Sequence, residues 1–242
     1  MFTGLIEELG VLGGREGARF TFEADVVTDG AIADDIVEAR VDHVALTGDM
    51  VNIAAGDEFP IAARWMAELG PPERVSFIPG NHDTYVVQGW EEGLSHLGPY
   101  MTGDMKVASV HVTPQVAASF PYVRLRKNVA LIGLCSGLPQ PLHRAAGRLG
   151  EVQLQSLRFL LRDLRERGFA RIVMIHHPPL PGLASPRKAL KDAEALKDVL
   201  TAEGAELVLH GHNHRHMENA LQSRFGRVHA LGVPSASMAL HP

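Results

Sequence analysis

Arg171-Ile172-Val173-Met174-Ile175-His176-His177-Pro178-Pro179 is a short apolar run that ends abruptly in two histidines and two prolines. Such a run, bounded by breakers, reads as a buried strand. Three further runs end in the same manner. Val41 to Leu46 leads into Thr47-Gly48-Asp49, Val75 to Ile78 into Pro79-Gly80-Asn81-His82-Asp83, and Glu206 to Leu209 into His210-Gly211-His212-Asn213-His214. Helix-period segments alternate with them. Ile61, Trp65, Met66 and Leu69 precede the stop Gly70-Pro71-Pro72, and Leu157, Leu160, Leu161 and Leu164 form an i, i+3, i+4, i+7 stripe. Ser185-Pro186 is expected to open a third helix whose buried face includes Leu190, Ala193, Leu196 and Leu200. Tyr122 to Arg126 and Val129 to Cys135 read as neighbouring strands around Lys127-Asn128, and Met217 to Met238 as two or three more. There is no repeat, low-complexity tract or long linker, so the alternation predicts one α/β domain over residues 31–242.

Composition narrows the function classes. The 242 residues carry 23 Lys+Arg against 28 Asp+Glu, a formal charge of −5, with 45% hydrophobic and 21% charged residues. These are the proportions of an ordinary globular chain, not of a disordered one. The negative balance argues against nucleic acid as the main partner. The apolar runs are far shorter than the roughly 20 residues needed to cross a bilayer, so no membrane partner is expected. Glu7 and Glu8 near the start, without a basic segment ahead of an apolar one, do not read as a secretory signal. A lone Cys135 forms no intrachain disulfide. Together these predict a cytoplasmic protein, and leave its oligomeric state open. The thirteen histidines are the unusual feature.

In an open α/β sheet, ligands gather beyond the carboxyl ends of the strands, where the four polar segments would converge. Glycines there let the backbone turn sharply. Imidazoles, one carboxylate and one amide oxygen suit manganese, iron or zinc better than calcium. Each segment alone has a bland explanation, since Gly-Asp after a strand is commonly a turn and His-His at a strand end can be packing. The ordered set is much harder to explain that way. His177 competes with His176 as a ligand, and His176 is preferred because it directly follows the strand. His210 and His216 flank the last motif as supporting or surface groups. His43, His96, His111, His143, His229 and His241 lack a motif context and are read as structural.

Gly48-Asp49-Met50-Val51-Asn52, Gly80-Asn81-His82-Asp83, His176 and Gly211-His212-Asn213-His214, in that order, resemble the calcineurin-like metallophosphoesterase family. The resemblance implies a four-layer α-β-β-α sandwich and a metal-dependent hydrolase of small phosphodiester or phosphomonoester substrates, with one or two divalent metals per chain. It implies that Asp49 bridges two metals, that Asn81, His176 and His212 complete the second site, and that His214 belongs to the first. His82 would protonate the leaving oxygen or stabilise phosphoryl charge, with Asp83 orienting its ring. Metal chemistry supports this independently: a metal pair clamps phosphate oxygens and generates hydroxide near neutral pH, and histidine suits proton donation.

The family's opening Asp-x-His triplet is absent before Asp49. Met1-Phe2-Thr3-Gly4-Leu5-Ile6-Glu7 and the following residues to about 26 instead resemble the start of riboflavin synthase. The expectation is an N-terminal segment of about 30 residues that supplies a strand, with Arg19 to Val27 filling the vacant first-strand position. Asp29 or Asp34-Asp35 would open the next helix. Asp25 then lies near the missing carboxylate, while Val27 replaces the histidine. With Asp49 and His214 as the main remaining ligands there, the first metal should bind weakly or not at all. Activity should then be reduced, or replaced by metal binding without catalysis.

Overall fold

The structure is a computed structural model and describes residues 9–16, 19–23, 42–104, 114, 119–141 and 143–235, the first two stretches by their backbone alone. Four strands form one sheet in the order β2-β1-β3-β4: β1 (Leu9–Glu16), β2 (Arg19–Glu23), β3 (His43–Leu46) and β4 (Val75–Phe77). Six form the other in the order β5-β6-β7-β8-β10-β9: β5 (Tyr122–Arg126), β6 (Val129–Gly133), β7 (Ala170–Ile175), β8 (Leu207–His210), β9 (Met217–Ser223) and β10 (Gly226–Gly232). Three helices accompany them: α1 (Glu58–Leu69), α2 (Glu151–Glu166) and α3 (Ala193–Glu203).

Strand periodicity sorts the larger sheet into two faces. Val129 and Leu131, Ile172 and Met174, and Leu207 and Leu209 join β3, β4 and Phe59, Ala62 and Met66 of α1 in one core. Their alternates Ala130, Ile132, Val173, Ile175 and Val208 pack with Leu157, Leu160, Leu161 and Leu164 of α2 and Leu196, Val199 and Leu200 of α3 in the other. This is the layered α/β sandwich expected. β3 pairs with β4, and β6, β7, β8 and β10 pair in sequence, all in parallel. The four motif segments therefore leave the same ends of adjacent strands.

Two expectations need correction. Arg19–Glu23 is the outer strand of a hairpin, and Leu9–Glu16 is the neighbour of β3, running antiparallel to it with Leu9 opposite Leu46 and Leu12 opposite His43. A hairpin needs only a short connection, so the inner place goes to whichever of its strands fits β3. The proposed sites at Asp25, Val27, Asp29 and Asp34-Asp35 lie outside the described residues, as do His111 and His241. The third helix begins at Ala193 rather than at Ser185-Pro186. Backbone bonds from Ala145 N to Arg187 O (3.0 Å), Gly147 N to Ala189 O (3.2 Å) and Lys191 N to Gly147 O (2.8 Å) tie the 187–191 segment to its neighbour, with an isolated parallel bridge between Gly147 and Leu190. Tertiary pairing overrides the local helix signal there. No helix among the described residues is long and apolar enough to cross a membrane.

His43 at the start of β3 is buried, with its Nε2 2.8 Å from Ser76 Oγ. Burial, followed by Arg126, Arg124 and Arg74, lowers its pKa to about 3. The unfolded chain takes up this proton near pH 6.5 while the folded chain resists it, so stability is full above that pH and is lost as pH falls towards 3. We expect the contribution of His43 to cost about 2 kcal/mol between pH 7 and pH 5. In urea titrations, His43→Gln should remove that part of the acid destabilisation, and an unchanged pH dependence would contradict the assignment.

Candidate metal centre

Asp49, Asn81, His176 and His212 come together where the four motif segments meet. After β3 the chain turns through Gly48, whose φ is +114° and at which a Cβ would come 2.6 Å from His176 Nδ1. After β4 it turns at Gly80, where a Cβ would collide with Asp49 Oδ1. No side chain other than hydrogen fits either place. Asp49, His212 and His214 themselves have φ of 60°, 70° and 53°. Left-handed backbone at such residues costs about 1–3 kcal/mol and concentrates at functional sites.

Asp83 joins the first two segments. One carboxylate oxygen accepts the amides of Asp49 and Gly80, both at 2.8 Å, and the other accepts those of Met50 (2.8 Å) and Val51 (3.1 Å). Burial and the neighbouring Asp49 push its carboxyl up to about 7, and the amides of Gly80, Val51 and Asp49 oppose that rise. In return, Asp49 Oδ1 accepts the His82 amide at 2.8 Å. The expectation that Asp83 orients the His82 ring is therefore corrected, because its oxygens are engaged by backbone amides. The ring is held by the Asn52 carbonyl, 2.6 Å from Nδ1, with Tyr85 OH 3.4 Å from Nε2. Glu58, in the first turn of α1, fixes the Asn52 loop by accepting the amides of Asn52, Ile53 and Ala55.

His176 Nδ1 lies 2.8 Å from the Thr47 carbonyl. A carbonyl only accepts, so in the neutral ring Nδ1 carries the proton and Nε2 presents a lone pair. That lone pair faces Asn81 Oδ1 at 2.9 Å, His212 Nδ1 at 3.1 Å and Asp49 Oδ2 at 3.2 Å. The Asn81 amide is turned this way because its Nδ2 donates to Tyr85 OH at 3.0 Å. Among these partners the His212 nitrogen can bring a proton, whereas the Asn81 and Asp49 oxygens meet the lone pair as acceptors. A cation among the four atoms relieves that repulsion. Bonds of about 2.1 Å to a first-row metal place neighbouring ligands about 3 Å apart, and the three distances to His176 Nε2 match that spacing. His212 Nε2 is also buried without a hydrogen-bond partner, and burial, with His177 and His176 nearby, holds this imidazole far below its ordinary pKa. The ring is neutral and available as a ligand.

His177 is differently engaged. Its Nδ1 lies 2.7 Å from Ser136 Oγ and its Nε2 3.0 Å from the Ala145 carbonyl, while burial and then His176 lower it to about 3. His210 is buried in β8 and lowered by burial to about 4, and His216 is exposed with its Nε2 3.1 Å from Glu218. Half-buried His82 and His214 line a cleft of about 360 Å³ above Asp49, Asn81 and His212. Its other walls include Tyr85, His143, Ser185, Arg187 and Lys188. Sequence reasoning gave these no place in the site. Of them, only Tyr85 lies beside a motif.

Residues 24–216 match the calcineurin-like phosphoesterase family. The chain belongs to that family. Over 106 residues, 41% of its length, the chain is 40% identical to a probable cyclic nucleotide phosphodiesterase of Synechococcus sp. (strain WH7803), and the match spans 40% of that relative. A dimetal phosphatase from Danio rerio shares the fold with a TM-score of 0.60, covering 86% of this chain and 79% of its own at 18% identity. The two-sheet sandwich is thus of the metallophosphoesterase type, and divalent metal dependence accompanies the family.

Replacing Asp83 tests the junction of the two turns. Asp83→Ala leaves four amides without their acceptor, and we expect it to cost about 3–5 kcal/mol of stability. Thermal or urea unfolding reads this directly, and a loss below about 1 kcal/mol would show that the turns hold without the carboxylate.

Proposed function

We propose that this chain hydrolyses phosphoric esters at a metal centre held by Asp49, Asn81, His176 and His212, with His82 as the catalytic group beside it. The convergence of Asn81 Oδ1, Asp49 Oδ2 and His212 Nδ1 on the His176 Nε2 lone pair carries the reading. When bound, a divalent ion such as manganese, iron or zinc supplies Lewis acidity to a phosphoryl oxygen and eases deprotonation of water. The residues do the rest. Thr47 and Tyr85 set the orientation of two ligands through His176 Nδ1 and Asn81 Nδ2. The Asn52 carbonyl accepts from His82 Nδ1–H and so orients the ring; in its imidazolium form the ring carries a second proton, on Nε2, to give to the departing ester oxygen or to stabilise phosphoryl charge. Asp83 supports this by fixing the backbone around Asp49.

The name of the Synechococcus relative favours a phosphodiester, cyclic nucleotides included, as the substrate class. Asp49, His176 and His212 are the one cluster of three metal-ligating side chains among the described residues. With no Asp-x-His before Asp49, one metal binds tightly and a second weakly, and hydrolysis is slower than a paired centre allows. The same observation favours a second reading, a non-catalytic metal-binding protein on this scaffold.

Elemental analysis of purified protein should find about one tightly held metal per chain, and turnover of bis-p-nitrophenyl phosphate should require added manganese. His212→Ala should lose the tight metal and lower kcat by about a hundredfold. Two tightly held equivalents would overturn the single-metal reading. Retained metal without turnover would establish the non-catalytic one.

A further inference from the structure

The cleft has a cationic wall that the metal centre does not use. Arg187 and Lys188 line it together with Asp49, Asn81 and His212, and both are exposed while those three are buried. Neither forms an ion pair with a carboxylate among the described residues. Most surface cations have freedom to wander, but the backbone of these two does not. It is tied to residues 145–147 at Ala145, Gly147 and Lys191, closed by a turn from Lys188 N to Ser185 O (2.8 Å), and anchored at Asp192, whose carboxylate accepts the amides of Leu149 and Gly150. The same ledge is joined to the floor of the site, where His177 Nε2 donates to the Ala145 carbonyl.

We propose that Arg187 and Lys188 form a second anion subsite, so that the preferred substrate carries a second phosphate besides the one being hydrolysed. This rests on the phosphoesterase reading above. The reacting phosphoryl group belongs at the floor, among the buried ligands, and the two cations meet what projects towards the mouth. A cleft of about 360 Å³ holds much more than one phosphate and falls within the usual range for small-molecule sites. A guanidinium offers planar, paired donors to phosphate oxygens, and an ammonium beside it adds a mobile point charge. Asp49 is the one carboxylate lining the cleft among the described residues, and it lies on the floor, engaged with His82 and His176. The wall therefore repels cations and accepts an anion without competition from a neighbouring acid.

Calorimetry on manganese-loaded full-length protein separates this subsite from the reaction. Thymidine 3′,5′-bisphosphate should bind about tenfold tighter than thymidine 5′-monophosphate, and the double variant Arg187→Gln, Lys188→Gln should bring the ratio near one. Lys188→Arg should keep the preference. Equal wild-type affinities, or an unchanged ratio in the double variant, would overturn the proposal. Turnover of thymidine 5′-(p-nitrophenyl phosphate) in parallel tests the phosphoesterase reading alone. Its failure, with the binding preference intact, would leave the subsite standing and remove the catalysis.

Discussion

A buried carboxylate organises the centre of this molecule. Parallel pairing of β3 and β4 brings two sharp turns side by side, each presenting backbone N–H groups inward, and Asp83 accepts four of them. Converging amides form a concavity of positive partial charge, and an anion within it satisfies all of them at once. The cost of burying a charge is partly offset because its hydrogen-bonding capacity is used. Asp49 is thereby left to turn its own carboxylate towards His82 N–H on one side and His176 on the other.

The second constraint is the meeting of the two sheets. His176 leaves β7 of the larger sheet and bonds to Thr47 at the end of β3 in the smaller one. The site therefore exists only when the sheets are packed. Buried Tyr122 helps to fix that packing by donating from β5 to the Phe77 carbonyl of β4 at 2.7 Å. Burial holds the imidazoles of His177, His210 and His212 neutral. Left-handed backbone at Asp49, His212 and His214 stores strain that the packed surroundings sustain.

Much of this was legible in the residues. The strands ending at Leu46, Phe77, Ile175 and His210 follow from apolar runs cut by glycine, proline and polar residues, and the stripe of Leu157, Leu160, Leu161 and Leu164 lies on the buried face of α2. The choice between His176 and His177 was less secure, because adjacent residues of a strand point to opposite faces and periodicity does not say which face holds the ligands. Ser185-Pro186 misled, since a good helix start was overruled by pairing with residues 145–147. His143, Arg187 and Lys188 carried no signal. Surface cations and a lone histidine are common, and only the folding of two distant loops places them on one cleft.

The sequence by itself determined the alternation of strands and helices, the polar strand ends and the chemical types gathered there, because these depend on local spacing and on the chemistry of each side chain. Tertiary structure decided which atoms face one another. It assigned Asp83 to the backbone amides, gave His82 to the Asn52 carbonyl, placed β1 rather than β2 beside β3, and brought the 187–188 ledge over the ligands. Those outcomes depend on contacts between residues tens of positions apart, and on which competing partner each buried polar group reaches when the sheets close. No local pattern encodes that competition.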